Sequence, residues 1–150
     1  MKRYDENDFG LDYPDDWTVH SDSDSGCDGV TVEAPEGGFL TISRFSALYE
    51  PEELVRAAVD EVTREYGDCD VEPAQDVYQS GVLRGQDVDF LYLDLPCTVS
   101  IRAARHGGST YVFYCQTAAI SEDRATQFRA VTASFLDFLG VDVTEKPEIS

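Results

Sequence analysis

Lysine is nearly missing from this chain. Lys2 and Lys146 are the only two in 150 residues, and with nine arginines they face 30 aspartates and glutamates. Affinity for nucleic acid rests largely on Lys and Arg neutralising phosphates, so a formal net charge of −19 sets that partner aside. Anionic lipid surfaces are set aside for the same reason. Long apolar runs are missing too: none approaches the roughly 18 residues of a membrane-spanning helix. The opening Met1-Lys2-Arg3-Tyr4-Asp5-Glu6 lacks the apolar stretch of a signal peptide, and no lipobox cysteine follows it. The cysteines at 27, 69, 97 and 115 contain no CxxC spacing, and His20 and His106 are the only histidines, so structural zinc is not expected. The expectation is a reducing, cytoplasmic location with free thiols, although an even cysteine count leaves disulfides open.

Catalytic signatures are equally scarce. Gly-x-Ser-x-Gly, Gly-x-Gly-x-x-Gly and Walker loops do not occur. Acids are so plentiful that two will approach each other by chance, which removes any argument for paired-carboxylate catalysis. The chain is therefore expected not to be an enzyme. No catalytic, cofactor-binding or metal residue is assigned, and no cofactor is expected.

What the chain has is core-forming material. Apolar residues make up 42 %, with eight Phe and eight Tyr, far more than a disordered chain carries. At this length folding removes roughly 68–70 % of the unfolded surface, so one domain over 1–150 needs no staples. The acidity then belongs to the surface. It is either a solvated coat tuned for solubility, as in a saline cytoplasm, or a face for a basic partner.

Phe9, Leu11 and Tyr13 alternate with polar or small residues, the period of a half-buried strand. Pro14-Asp15-Asp16 turns the chain, and Trp17-Thr18-Val19 starts a second strand. Residues 21–29 read as an acidic polar loop, and strands resume at Val30–Glu33 and Phe39–Phe45. Over 51–66 the period becomes helical: Leu54, Val55, Ala58, Val59, Val62 and Tyr66 share a face, with Pro51 at the start and Gly67 at the stop. Glu52–Arg56 and Asp60–Arg64 have the spacing of stabilising pairs.

Strand patterns return at about 71–80, 84–94, 99–103 and 111–116. His106-Gly107-Gly108-Ser109 marks a hairpin between the last two. Tyr111 to Cys115 is apolar on both sides and belongs near the middle of the sheet. A final helix is expected over about 122–139, capped by Ser121, with Phe128, Val131, Phe135, Leu136 and Leu139 as its stripe. The chain shows no repeat, linker or second core. The expected order is four strands, helix, four strands, helix: an α+β fold whose mainly antiparallel sheet of about seven or eight strands is covered by two amphipathic helices. The ordered core should span about 5–140, with a frayed tail at 143–150.

Phe9-x-Leu11-x-Tyr13-Pro14-x-x-Trp17 resembles the opening strand and turn of the PsbP-like superfamily, which includes an extrinsic photosystem II subunit, a Ran-binding import factor and DcrB-type bacterial proteins. Val30-Thr31-Val32, the Pro-Glu-Glu-Leu helix start at 51–54 and Thr132-x-Ser134-Phe135 are similar to that group as well. The resemblance implies an α/β/α sandwich and a protein-binding, adaptor or chaperone-like role. It implies no shared catalytic centre, and fold likeness is a weak warrant for function.

Three constellations carry specific expectations. Asp22, Asp24 and Asp28 with Gly26 and Gly29 suggest a calcium loop, with Glu33 as a later acid. Yet Cys27 and Pro35 stand where an EF-hand needs a glycine and an acid, so a plain solvated loop is the simpler reading. Cys115 is expected to be buried and inert; a two-residue turn would set it opposite Ser100 with Cys97 on the other face, a three-residue turn would reverse that, and His106 is expected to be exposed. Arg102, breaking an apolar strand, is expected to pair with an acid of a neighbouring strand, or else to line an anionic-ligand pocket. The functional expectation is a non-enzymatic binding or adaptor module for a protein partner, basic if the acidic surface is its face. A small-ligand or calcium-binding domain is the alternative.

Overall fold

A computed structural model describes residues 1–24, 27–118 and 122–140, with the backbone alone at 23 and 24. Among these, nine strands and two helices follow in the order β1 (Lys2–Glu6), β2 (Phe9–Tyr13), β3 (Thr18–Asp24), β4 (Cys27–Glu33), β5 (Phe39–Ser46), α1 (Pro51–Tyr66), β6 (Asp70–Tyr78), β7 (Gly81–Tyr92), β8 (Leu95–His106), β9 (Ser109–Ala118) and α2 (Glu122–Leu139). Strands β3 to β9 form one sheet in the order β3-β4-β5-β9-β8-β7-β6, with every neighbouring pair antiparallel. β1 and β2 form a separate hairpin. The expected α+β class and antiparallel sheet are what the chain adopts.

The apolar-on-both-sides strand β9 is the central one of the seven. Its odd residues Tyr111 and Phe113 join a cluster with Phe9, Leu11, Trp17, Val30, Ile42, Phe128 and Phe135. Its even residue Val112 joins Val55, Val59, Val62, Val88, Val99 and Ile101 on the other side. A strand alternates its side chains across the sheet, so these clusters are the two faces of one sheet. α1 roofs one face, while α2 and the β1–β2 hairpin roof the other. The apolar core is thus double rather than single, divided by the sheet.

Five strands, not four, precede α1. β1 escapes a periodicity reading because its sequence, Lys-Arg-Tyr-Asp-Glu, is exposed apart from the half-buried Tyr4. Pairing with β2 creates it, through a turn in which Asn7 and Asp8 take φ of 54° and 67°. The expected loop at 21–29 is mostly strand: β3 and β4 pair from Thr18↔Glu33 to Asp24↔Cys27. Polar residues can line an edge strand that has no core to face. The β7–β8 connection is also tighter than expected, because Tyr92 pairs with Leu95 and leaves only Leu93 and Asp94 as the turn. The helix limits agree with the sequence reading, and Gly67 and Gly140 end the helices at positive φ. No ion pair forms at Glu52–Arg56 or Asp60–Arg64 among the described residues. Ser121 and the tail at 143–150 lie outside the described residues.

One close approach shapes the sheet. A β-carbon at Gly85 would run into the Ile101 carbonyl of β8. Glycine here lets β7 hug β8 beside the Arg102 side chain.

Candidate functional site

Nine large apolar side chains stand exposed among the described residues, and four of them, Leu91, Tyr92, Leu93 and Leu95, lie within five positions. The β7–β8 hairpin carries them all. Leu93 and Asp94 form its two-residue turn at φ 52° and 68°. Such a turn needs positive φ at both central positions, which Asn-Gly supplies without strain. A leucine there costs roughly 1 kcal/mol and leaves its own side chain 79 % exposed. Tyr92 stacks edge-on against Tyr66 of α1, 5.9 Å between ring centroids, so the base of the tip is braced. Acids flank it: Asp94 in the turn, and Asp89 opposite Asp70 a few residues below. The tip is therefore an apolar knob on an acidic collar, held on a firm stem.

Arg102 behaves as the sequence suggests, and more so. It is buried on β8, and its guanidinium meets Asp76 of β6 at 3.1 Å and Asp87 of β7 at 2.9 Å. It also donates to the carbonyls of Gln86 and Ile101. Arg129 of α2 closes the cluster on Asp76 at 3.0 Å and lies over the Tyr78 ring. Asp87 Oδ1 is buried and close to Arg102 Nη1 but out of line for a hydrogen bond, so that pair is held by charge alone. The carboxylates on hand engage the arginine, as the ion-pair expectation had it.

Two protons are held tightly around this cluster. Loss of hydration pushes the Cys115 thiol up to about 12, outweighing the nearby Arg102. Loss of hydration, helped by Asp76, pushes the Tyr78 phenol up to about 12 as well. Both groups favour folding in their neutral forms. Their contribution is intact below the ordinary values of 9.0 and 10.0 and is lost as pH climbs towards about 12. Stability to urea should fall between about pH 9 and pH 12, by up to about 3 kcal/mol for each group. A Tyr78→Phe, Cys115→Ala double variant should lose less over the same interval.

The remaining sequence-derived candidates are scattered. Strand register puts Asp22 opposite Gly29 and Asp28 opposite Ser23, so the two carboxylates leave opposite faces of the β3–β4 ribbon. Asp22 accepts from Thr31 Oγ1 at 2.7 Å, and Asp28 holds Arg44 at 2.8 Å. The Asp24 side chain and Gly26 lie outside the described residues. Cys115 faces Ser100 as expected but is half-buried rather than buried, Cys97 packs on the opposite face, and no disulfide joins the cysteines among the described residues. His106 is half-buried rather than exposed, and it sits about 20 Å along the strand from the Ser100–Cys115 pair. No cysteine–histidine pair is assembled from these parts.

The exposed tip was not legible as a site. The strand expected at about 84–94 takes in Leu91 and Leu93 as ordinary strand residues. A Leu-Asp pair is not a recognised turn signal, so these exposed residues read as strand interior.

No helix among the described residues is long and apolar enough to cross a membrane. No family model matches the chain, and no curated protein matches it. Among solved structures it is similar to a protein from Bacteroides thetaiotaomicron VPI-5482, with 14 % identity and a TM-score of 0.49. That alignment covers 84 % of this chain and 43 % of the other, so this chain spans less than half of its length. It is also similar to LpqN of Mycobacterium tuberculosis, described as involved in cell envelope biogenesis, with 14 % identity, a TM-score of 0.46, and coverage of 83 % and 78 %.

Proposed function

We propose that this chain is a non-enzymatic, cytoplasmic binding or adaptor module of PsbP-like type that holds a protein partner through the tip of the β7–β8 hairpin. The observation carrying the reading is the cluster of Leu91, Tyr92, Leu93 and Leu95 exposed on a turn whose backbone is strained. Exposed apolar patches on an otherwise acidic surface mark interaction sites, and strain kept in a turn is a cost that folding alone would shed. The collar of Asp89, Asp94 and Asp70 selects the partner's chemistry: an apolar groove rimmed by lysine or arginine. The PsbP-like part of the reading is supported by the placement of Phe9, Leu11, Tyr13 and Trp17, all buried beneath α2. Cysteines that form no disulfide among the described residues suit a reducing compartment.

The strained turn also supplies a clean test. A Leu93→Asn, Asp94→Gly variant should gain about 1 kcal/mol of stability, because both new residues accept positive φ. The same variant should lose the partner. Capture from native lysate with the wild-type chain is expected to retain a stoichiometric protein that high salt releases and the variant fails to retain. Equal recovery by both baits, or a partner indifferent to salt, rules the tip out.

A further inference from the structure

A cleft of about 920 Å³ opens on the α1 side of the sheet, between the N-terminal turn of α1 and the β7–β8 ladder, at the far end of that ladder from the apolar tip. Its composition runs against the rest of the molecule. Alternate residues of β7 and β8 bring Arg84 and Arg105 to one face, and the first turns of α1 bring Arg56 over them, with His106 at the margin. Three of the nine arginines of a chain carrying −19 thus meet in one concavity.

We propose that this cleft binds a small organic anion, a phosphate or carboxylate group on a compact apolar body. Arg105 is the fixed element: its Nη2 donates to the Ala47 carbonyl at 2.9 Å and meets Glu50 at 3.2 Å, which leaves its other N–H groups to spare. Arg56 and Arg84 are the mobile arms, because neither has an ion pair or hydrogen bond among the described residues. This is unexpected in a protein with nearly three acids for every base, and Glu52 stands one helical turn from Arg56 without closing on it. Glu50 and Glu52 are the acids of the cleft, and Glu50 is already engaged by Arg105. Two uncommitted guanidiniums therefore face one uncommitted carboxylate. Val55, Val82 and Ala103 supply apolar wall for the body of the ligand. The volume lies within the roughly 300–1,000 Å³ typical of small-molecule sites. The acidic surface elsewhere repels anions only over about a Debye length, roughly 8 Å in physiological salt, so it does not close the cleft to them.

The test is a ¹H–¹⁵N NMR titration of the full chain with phenyl phosphate, benzoate and neutral benzyl alcohol. At least one anion is expected to give saturable shifts at the amides of Arg56, Arg84, Arg105 and His106, with none from the alcohol. Phenyl phosphate alone would identify a phosphate site, and benzoate alone a carboxylate site. An Arg56→Gln, Arg84→Gln variant should bind at least about tenfold more weakly. It should melt like the wild type, because both side chains are exposed. The proposal is overturned if neither anion saturates by about 10 mM, a concentration already above the weakest binding worth the name. It is also overturned if the double variant binds equally, or if the alcohol binds as well as the anions. The Leu93→Asn, Asp94→Gly variant should retain full anion binding, which separates this site from the hairpin tip.

Discussion

Replacing Phe135 by alanine is expected to destabilise the fold by about 3–5 kcal/mol, the range for emptying a large aromatic from a closed core. Phe135 is fully buried on α2. Its ring lies 5.7 Å from Phe9, 5.6 Å from Tyr111, 6.0 Å from Phe113 and 6.2 Å from Phe138. These neighbours belong to the β1–β2 hairpin, to the central strand and to α2 itself, so one side chain joins all three parts of this face. None of them can collapse into the space alone, because the sheet is tied by its ladders and the hairpin by its register with β1. A residual cavity follows. Urea unfolding should show a lower midpoint, with the melting temperature down by ~10 °C or more at this chain length. Phe135→Leu should cost roughly half as much, since most of the volume remains. A loss below about 1 kcal/mol for alanine would mean that α2 slides to refill the gap.

Arg102→Met is expected to cost about 3 kcal/mol for a different reason. The methionine fills much of the space, so the loss is electrostatic. Asp76 and Asp87 would keep their charges on a half-covered face, with Arg129 as the remaining counter-ion for Asp76. Asp87 is the more exposed to this loss, because its buried Oδ1 already lacks an aligned donor. Adding Asp87→Asn to Arg102→Met should therefore recover a large part of the stability, a coupling that a double-mutant cycle in urea measures. Arg102→Lys should not rescue, because an ammonium cannot grip Asp76 through two nitrogens and reach the Gln86 carbonyl as well. If the double variant is no better than Arg102→Met, the arginine acts by packing and not by charge.

Most of the elements could be read from the chain because their cause is local. α1 needs only its period of apolar residues, a proline at the start and a glycine at the stop, all within sixteen consecutive positions. The Gly107–Gly108 hairpin is likewise local, and its two-residue turn sets the register that puts Cys115 opposite Ser100. The central place of β9 follows from its lack of a polar face. β1 and the outer parts of β3 and β4 were not legible, because their residues are polar and become strands only when a partner strand presents its free backbone groups. The i,i+4 pairs on α1 failed in the other direction: the spacing is right, but exposed ion pairs are worth so little that side-chain entropy competes with them.

The candidate sites divide along the same line. Residue chemistry alone marked Arg102 as a paired charge, since a cation on an apolar strand has few alternatives. Leu91, Leu93 and Leu95 were a different case: an apolar residue reads as core until its neighbours are placed, and here the β7–β8 hairpin end leaves three leucines exposed. Arg56, Arg84 and Arg105 are 28 and 21 positions apart in the chain, and no pattern links them. The amino-acid sequence by itself determined the helices, the hairpins with glycine turns and the antiparallel class, because these depend on short-range period and turn chemistry. Which side chains are left exposed, and which distant charges share a cleft, was decided by tertiary packing, where contacts answer to the arrangement of the whole sheet and its two roofs.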